Sequence, residues 1–184
     1  MNALWTYFWP AFAAGLTFGV IAATGAFRAR IVRVRERPHE PDLVRPQRRR
    51  RNAFLIGGVL ASMSTAALWH GPLGAAERFS SEVERSVRQT LDYWEMTRVQ
   101  GRLHHGPLTR RIALSGPADD FQRSELVRVI SEVPGVSSAR WSAGGGGPPL
   151  ILEGIAVSLL GFLFGLLLAY LLELRRRYNA QWSW

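Results

Sequence analysis

The chain has 184 residues and no cysteine, and its formal net charge of +9 comes from arginine alone because it contains no lysine. The lack of cysteine excludes disulfides, thiolate metal sites and cysteine nucleophiles. The sequence also has no phosphate-binding loop, no GxSxG and no HExxH motif. We therefore predict a protein that is not an enzyme, with no catalytic residue, no cofactor and no metal.

Three long stretches carry no charged side chain: residues 3–27, 53–76 and 154–172. Each is close to the roughly 20 residues that cross the hydrocarbon core of a bilayer. Buried helices of a soluble protein rarely lack charge on every face over this length, and the first stretch lacks the basic start of a cleaved signal peptide. We therefore predict transmembrane helices at 3–27, 53–70 and 150–172.

An arginine- and proline-rich loop, residues 28–52, separates the first two helices and contains "RPQRRRRN". Residues 27–52 hold ten arginines and three acids, whereas 71–148 hold ten arginines and nine acids. Basic loops stay in the cytoplasm. Loop 28–52 and the tail 173–184 are thus predicted to be cytoplasmic, with the N-terminus and 71–148 in the periplasm of a bacterial inner membrane.

The arginine runs next to these helices are predicted to fix the topology: Arg48, Arg49, Arg50, Arg51, Arg175, Arg176 and Arg177. Binding of anionic lipid headgroups accompanies this role, at about 1 kcal/mol for each arginine near the surface. Nucleic acid is not expected as a partner, because no aromatic or folded reading element accompanies the charges. The loop segment "RPHEPDLVRPQ" contains three prolines and is predicted to be extended.

Tryptophan and tyrosine mark the predicted ends of the helices, as in the aromatic belts of membrane proteins. The outer set is Trp5, Tyr7, Trp9 and Trp69, and the cytoplasmic set is Tyr170, Tyr178, Trp182 and Trp184.

Small residues recur at a spacing of four in each apolar stretch, which lets helix backbones approach closely in lipid. The stripes are Ala11, Gly15, Gly19 and Ala23 in the first, Gly57, Ala61 and Thr65 in the second, and Gly161 and Gly165 in the third. We predict helix-packing roles for Gly15, Gly19, Gly57, Ala61, Gly161 and Gly165. Incidental glycine, which is common in membrane helices, is the alternative.

Residues 79–141 are predicted to form a small α/β domain that begins with a helix. "SEVE" is typical of a capping box with Ser81 as N-cap and Glu84 at N3. The apolar stripe that follows consists of Val83, Val87, Leu91 and Trp94.

Two strands, a second helix and a third strand complete the predicted domain. "RVQGRLHHG" and "TRRIALSG" indicate strands joined by a turn near Gly106-Pro107, with Ile112 and Leu114 on one face. Asp119 and Gln122 fit the cap of a helix that ends at Pro134-Gly135. Its apolar side carries Leu126, Ile130 and Val133, and "GVSSARW" is the third strand.

The segment "IALSGPADDFQRSELVRVISEVPGVSSARW" resembles the BON domain, a small non-catalytic module of bacterial envelope proteins. The matching positions are Leu114, Gly116, Leu126, Ile130, Pro134, Gly135 and Val136. The resemblance implies a periplasmic placement of 79–141 and contacts with membrane, lipid or envelope polymer. The family's asparagine after the last strand is replaced near Trp141, and no second copy or peptidoglycan-binding domain accompanies it. "GGGGPP", within residues 142–149, is predicted to be a tether.

Histidine and one acid are the remaining candidates for chemistry. His70, at the end of the second helix, is either a polar interfacial residue or a tetrapyrrole ligand. His104 and His105 would point to opposite faces of a strand, which makes a poor metal pair. Glu153 begins the third helix and either snorkels to water or relays protons.

The sequence therefore predicts a non-enzymatic accessory or scaffold subunit of a larger bacterial inner-membrane complex, respiratory or photosynthetic, that packs against other integral-membrane subunits and lipids. The alternative is a free-standing envelope protein whose BON-like domain binds lipid headgroups or envelope polymer. A weaker third interpretation is an enzyme or transporter subunit that uses Glu153 or His70.

Overall fold

The computed structural model describes residues 2–34, 44–141 and 147–181. Its elements are, in chain order, α1 (Ala3–Val34), α2 (Val44–His70), α3 (Ala75–Tyr93), β1 (Gln100–His105), β2 (Leu108–Ser115), α4 (Asp120–Ser131), β3 (Ser138–Trp141) and α5 (Leu150–Gln181). The protein thus combines three long apolar helices with a small α-β-β-α-β part.

The three apolar helices are long and apolar enough to cross a membrane: Ala3–Phe27, Arg48–His70 and Leu150–Ala180. All three continue beyond the predicted uncharged stretches, because a helix backbone does not end where charge begins. The predicted loop 28–52 is therefore helical as far as Val34 and again from Val44. The predicted tail 173–184 is likewise helical up to Gln181.

The proline-rich segment "RPHEPDLVRPQ" is predicted to be extended, and residues 37–43 of it lie outside the described residues. Residues 44–47 belong to the first turn of α2, so for them the prediction is wrong. Pro46 is compatible with this position, because the N–H groups of a first turn have no partner within the helix.

The chain divides into two compact units. The first, here called the domain unit, comprises Met1–Trp9 and Leu68–Gly154. The second, here called the helix unit, comprises Pro10–Ala67 and Ile155–Trp184. The long helices α1, α2 and α5 each contribute residues to both units.

The domain unit contains a three-stranded sheet in the order β1-β2-β3. The first two strands form an antiparallel hairpin in which Gly101 pairs with Leu114. Strand β3 returns after α4 and pairs with β2 in parallel, with Ile112 opposite Ala139. The central strand β2 therefore lies between the hairpin partner and the crossover partner.

A single apolar core fills the domain unit between the sheet and its helices. It contains the predicted faces of α3, β2 and α4, namely Val83, Val87, Leu91, Ile112, Leu114, Leu126, Ile130 and Val133. It also contains Ala3 and Tyr7 from α1 and Leu150 from α5. The core thus extends beyond the predicted 79–141, because the terminal turns of the long helices help to bury it.

The two predicted helix caps have opposite outcomes. At α4 the capping box is confirmed, since Asp119 Oδ1 accepts the Gln122 N–H at 2.7 Å and Gln122 Oε1 accepts the Asp119 N–H at 3.1 Å. At α3 the cap is wrong, because the helix already begins at Ala75 and Ser81 donates to the Glu77 carbonyl inside it.

The difference at α3 arises because its apolar stripe extends towards the N-terminus. Phe79 and Ala75 are buried about one and two turns before Val83, so burial favours a helix through the predicted cap. Trp94 was predicted to close the stripe but is the C-cap residue and is half exposed.

In the helix unit, α1 and α5 run in parallel. Gly15 lies against Ser158, and Gly19 lies against Phe162 and Gly165, so residue numbers rise together along both helices. Helix α2 is antiparallel to α5, since Ser62 pairs with Ser158 and Gly58 lies against Phe162. The C-terminal ends of α1 and α5 and the N-terminal end of α2 therefore lie at the same end of the helix unit.

Candidate functional site

The predicted packing glycines of α1 and α5 face each other within this chain. A Cβ atom at Gly15 would overlap the Ser158 carbonyl oxygen, and one at Gly161 would overlap that of Phe12. Gly19 and Gly165 meet in the same way, with a Cβ on Gly19 placed 3.0 Å from Gly165 Cα. Because Gly15, Gly19, Gly161 and Gly165 already pack between α1 and α5 of this chain, they give no support to a contact with a separate subunit.

In α2, the predicted packing glycine Gly57 and its neighbour Gly58 have different surroundings within the described residues. A Cβ at Gly57 would meet nothing within 4 Å, and Ala61 is only partly buried. The neighbouring Gly58 instead lies against the other helices, since its Cβ would lie 2.8 Å from both Ala22 Cβ and Phe162 Cε2. Gly57 therefore does not pack against the described part of the chain.

A serine pair joins α2 to α5 on that shifted face. Ser62 and Ser158 are fully buried, and their hydroxyl oxygens lie 2.7 Å apart. The Ser158 hydroxyl donates to the Ser62 carbonyl at 3.1 Å, and the Ser62 hydroxyl lies 3.3 Å from the Ser158 carbonyl. The pair gives an otherwise apolar interface a directional contact that the small-residue spacing at Gly57 and Ala61 did not indicate.

The predicted topology arginines lie on helices at one end of the helix unit. Arg48, Arg49, Arg50 and Arg51 are exposed in the N-terminal part of α2, and Arg175, Arg176 and Arg177 are exposed near the C-terminal end of α5. The antiparallel pairing of these two helices brings the two runs to the same end. The arrangement forms an exposed basic surface suited to anions.

Within the domain unit, Tyr7 and His70 form a partly buried polar contact. The Tyr7 hydroxyl lies 2.6 Å from His70 Nδ1 and 3.5 Å from the Leu150 carbonyl oxygen. The Trp69 indole N–H donates to the Tyr7 carbonyl at 3.0 Å. Tyr7 is thus a core residue and not the interfacial belt residue that was predicted, and one ring nitrogen of His70 is already engaged.

The other predicted belt residues have mixed outcomes. Trp5 and Trp9 are exposed, with ring centroids 5.7 Å apart, and Tyr170 and Tyr178 are also exposed. Trp182 and Trp184 lie outside the described residues.

Glu153 forms an ion pair with the sheet. Its Oε2 lies 3.0 Å from Arg110 Nη1, and both side chains are less than a quarter exposed. Arg110 Nε also donates to the Gly135 carbonyl at 3.0 Å. Glu153 therefore links the first turn of α5 to β2 and to the turn after α4, a structural role that neither predicted alternative, snorkelling or proton relay, included.

The end of the predicted tether is also fixed. Residues 142–146 lie outside the described residues, but Pro149 forms an isolated antiparallel bridge with Thr109. Together with the ion pair of Glu153, this bridge fastens the chain before α5 to the start of β2.

The adjacent histidines have separate partners. His105 Nε2 lies 3.1 Å from Glu84 Oε1, whereas His104 Nδ1 lies 3.0 Å from the Pro107 carbonyl oxygen. In the described ranges, no group of three or more His, Asp or Glu residues is placed to hold a metal ion.

A pocket of about 290 Å³ opens on the domain unit where α1, α2 and α3 meet. Tyr7, Trp69 and Phe79 form aromatic parts of its wall, and Arg78 and Glu82 from α3 supply charge. The sequence did not indicate this pocket, because its residues come from three separate segments.

Exposed aromatic side chains lie at the other end of the domain unit. Tyr93 is 83% exposed, Trp94 49% and Phe121 75%, and the rings of Tyr93 and Trp94 are in edge contact at 6.3 Å. We call these three residues the aromatic end.

Topology explains how residues so distant in sequence share one end of the unit. Gln100, shortly after Trp94, pairs with Ser115, shortly before Phe121. Phe79, by contrast, packs on Tyr7, and Tyr93 follows it by 14 residues of α3, or about 21 Å at 1.5 Å per residue. The aromatic end is therefore remote from the pocket.

The chain matches no protein-family model, no curated protein and no solved structure. Its fold and sites thus define it only as a protein of three apolar helices with a small α/β unit, and function has to be argued from its own surfaces.

Proposed function

We propose that this protein is a non-enzymatic accessory subunit of a bacterial inner-membrane complex, in which the helix unit is the membrane anchor and the domain unit binds another subunit. The observation that carries the proposal is the aromatic end. Exposed aromatic residues are enriched at binding surfaces and costly to leave in water. Because the glycine interface is internal, contact with a partner is assigned to this end and not to the packing glycines.

The distribution of charge supports membrane insertion with one orientation. The exposed arginine runs lie at a single end of the helix unit, which matches the basic cytoplasmic side of inner-membrane proteins. The proposal therefore places Arg48–Arg51 and Arg175–Arg177 next to anionic headgroups in the cytoplasm. The domain unit is then periplasmic, the compartment that the BON resemblance implies.

Single cysteines test this orientation in a chain that has no native cysteine. Cysteine at the exposed Ser81 should react with a membrane-impermeant maleimide in intact spheroplasts, whereas cysteine at the exposed Asn179 should react only after lysis. The reverse labelling pattern would contradict the proposed orientation. Release of the protein by alkaline carbonate would contradict membrane insertion itself.

The accessory role is tested by the size of the solubilised assembly. We expect the wild-type protein to migrate in a complex larger than one chain, and the combined change Tyr93→Ser, Trp94→Ser and Phe121→Ser to reduce it to the single chain. The matched control is Leu167→Ala, an exposed apolar residue of the helix unit. An unchanged complex with the aromatic end replaced would contradict the proposed contact.

A free-standing envelope protein is the second candidate, and the glycine interface is the observation that favours it. Helices α1, α2 and α5 pack on one another at Gly15, at Gly161 and at the Ser62–Ser158 pair. The anchor therefore does not require packing contacts with another chain. Migration of the wild-type protein as a single chain in the same experiment would select this candidate.

A further inference from the structure

The pocket of the domain unit contains two opposite charges that do not pair with each other. Arg78 and Glu82 are four residues apart on α3, a spacing at which opposite charges on a helix can meet. No ion pair forms between them; Arg78 instead lies over the Trp69 ring at 5.2 Å and donates from Nη2 to the Leu73 carbonyl at 3.0 Å. The Glu82 carboxylate has no ion-pair partner among the described residues.

Both charges retain capacity for a ligand. A guanidinium group has five N–H donors, and the contact with Leu73 uses one of them. The carboxylate of Glu82 accepts hydrogen bonds through both oxygens. One pocket wall therefore presents a cation and an anion about one helical turn apart, which complements a ligand that carries an anion and a cation at similar separation.

The chemistry of the two groups selects the ligand class. Arginine binds phosphate through two parallel hydrogen bonds, and a carboxylate binds a primary ammonium by charge-assisted hydrogen bonds. A quaternary ammonium has no N–H to donate, so Glu82 distinguishes ethanolamine from choline. The rings of Trp69 and Tyr7 offer apolar contact for the carbon atoms between the charges.

The position of the pocket on the helices identifies the source of such a ligand. Tyr7 lies in the first turns of one candidate membrane helix, and Trp69 lies in the last turn of another. Lipid headgroups occupy the layer in which membrane helices end. The volume of about 290 Å³ is at the lower bound for sites that enclose drug-sized molecules, so it suits a headgroup whose acyl chains remain outside.

We propose that this pocket binds the phosphoethanolamine headgroup of a bilayer lipid, with the phosphate on Arg78 and the ammonium on Glu82. The inference rests on the membrane insertion of the proposed function and adds a specific lipid site on the domain unit. Bound lipid would hold the ends of α1, α2 and α3 together.

Reconstitution in bilayers of defined composition tests the proposal. The full-length protein is placed in nanodiscs that contain phosphatidylglycerol with either phosphatidylethanolamine or phosphatidylcholine, released into mild detergent, and its retained lipid is counted by native mass spectrometry. We expect one phosphatidylethanolamine to be retained and phosphatidylcholine not to be. The thermal midpoint should be higher in phosphatidylethanolamine, because a ligand that binds only the folded state stabilises it.

Charge-neutral variants identify the site. Arg78→Gln and Glu82→Gln should each lower retention of phosphatidylethanolamine at least about tenfold, the loss expected when a charge-assisted contact to the ligand is removed. Arg88→Gln is the matched control, since Arg88 is on the same helix, away from the pocket, and pairs with Asp92 at 3.6 Å. Its retention should equal that of the wild type.

The outcomes separate this inference from the proposed function. Equal retention of the two zwitterionic lipids, a preference for phosphatidylglycerol, or equal retention by Arg78→Gln and Arg88→Gln would each overturn the headgroup site while leaving the membrane anchor in place. Saturation of the thermal shift by soluble glycerophosphoethanolamine in detergent, without lipid, would overturn the bilayer as source. Failure of the wild-type protein to enter nanodiscs would overturn both proposals.

Discussion

The domain unit and the helix unit bury different kinds of side chain. In the domain unit the fully buried residues are large and apolar, such as Phe79, Leu91 and Ile112. In the helix unit most of the buried residues are small: Ala11, Gly15, Gly19, Ala22, Ala23, Ala26, Ser62, Ala66, Ser158, Gly161, Gly165 and Ala169. Large leucines of α5, such as Leu163 and Leu171, are exposed there.

This contrast is the one expected if, as proposed, the helix unit lies in lipid and the domain unit in water. In water, folding is driven by burial of large apolar side chains. In lipid that driving force is absent, so helices associate through close backbone packing and hydrogen bonds, while large apolar side chains remain outside. The side-chain distribution of the helix unit therefore supports the proposed membrane anchor independently of helix length.

The largest expected loss of stability results from burying a charge in the domain unit. Ile130 is fully buried, so Ile130→Glu should cost several kcal/mol and unfold the unit, because an unpaired charge is then removed from water. The measurement is protease resistance of the detergent-solubilised protein. Ser124→Glu, at an exposed position of the same helix, should leave the protease resistance unchanged. Retained resistance in Ile130→Glu would show that water-driven burial does not hold this unit together.

The next effect concerns backbone contact in the helix unit. Gly161→Leu should destabilise it by about 3 kcal/mol or more, because the new side chain overlaps the Phe12 carbonyl and forces α1 and α5 apart. Gly57→Leu is the matched control, since its side chain meets open space. The stability of both variants is measured by thermal unfolding in detergent. Equal stability of Gly161→Leu and Gly57→Leu would contradict the internal glycine interface.

A smaller effect is expected at the serine pair. Ser158→Ala removes a buried hydrogen bond in an apolar interface and should cost about 1 kcal/mol, the scale measured between membrane helices. Ser62→Ala combined with Ser158→Ala should cost less than the sum of the single changes, because neither hydroxyl then lacks its partner. Strict additivity in this double-mutant cycle would show that the two hydroxyls are not coupled.

The last effect, similar in size to that at the serine pair, is a gain in the stability of the domain unit. The Thr109 hydroxyl is buried and has no hydrogen-bond partner among the described residues. Thr109→Val keeps the shape of the side chain and removes this cost, so it should stabilise the unit by about 1 kcal/mol. Thr90→Val serves as the control, since Thr90 donates to the Ser86 carbonyl and gains nothing from the change. A loss of stability in Thr109→Val would reveal a partner for the hydroxyl.

The sequence by itself determined the elements and the faces that depend on local periodicity. The three uncharged stretches predict the apolar helices, and alternation at Ile112 and Leu114 predicts the core face of β2. The cap at Asp119 could be predicted because its hydrogen bonds join residues three apart. The glycines that the spacing in α1 and α5 singled out face each other in this chain, whereas the spacing alone does not say which helices they join.

Only the tertiary structure decided which of two adjacent faces packs and which distant residues meet. Gly57 and Gly58 differ by about 100° around α2, and the choice between them depends on the position of Phe162, which local sequence does not encode. Tyr7 became a core residue because His70 and Leu150 approach it from 63 and 143 residues away. The pocket with Arg78 and Glu82 exists for the same reason: its wall is assembled from three helices, and residue spacing within any one of them leaves its aromatic partners undetermined.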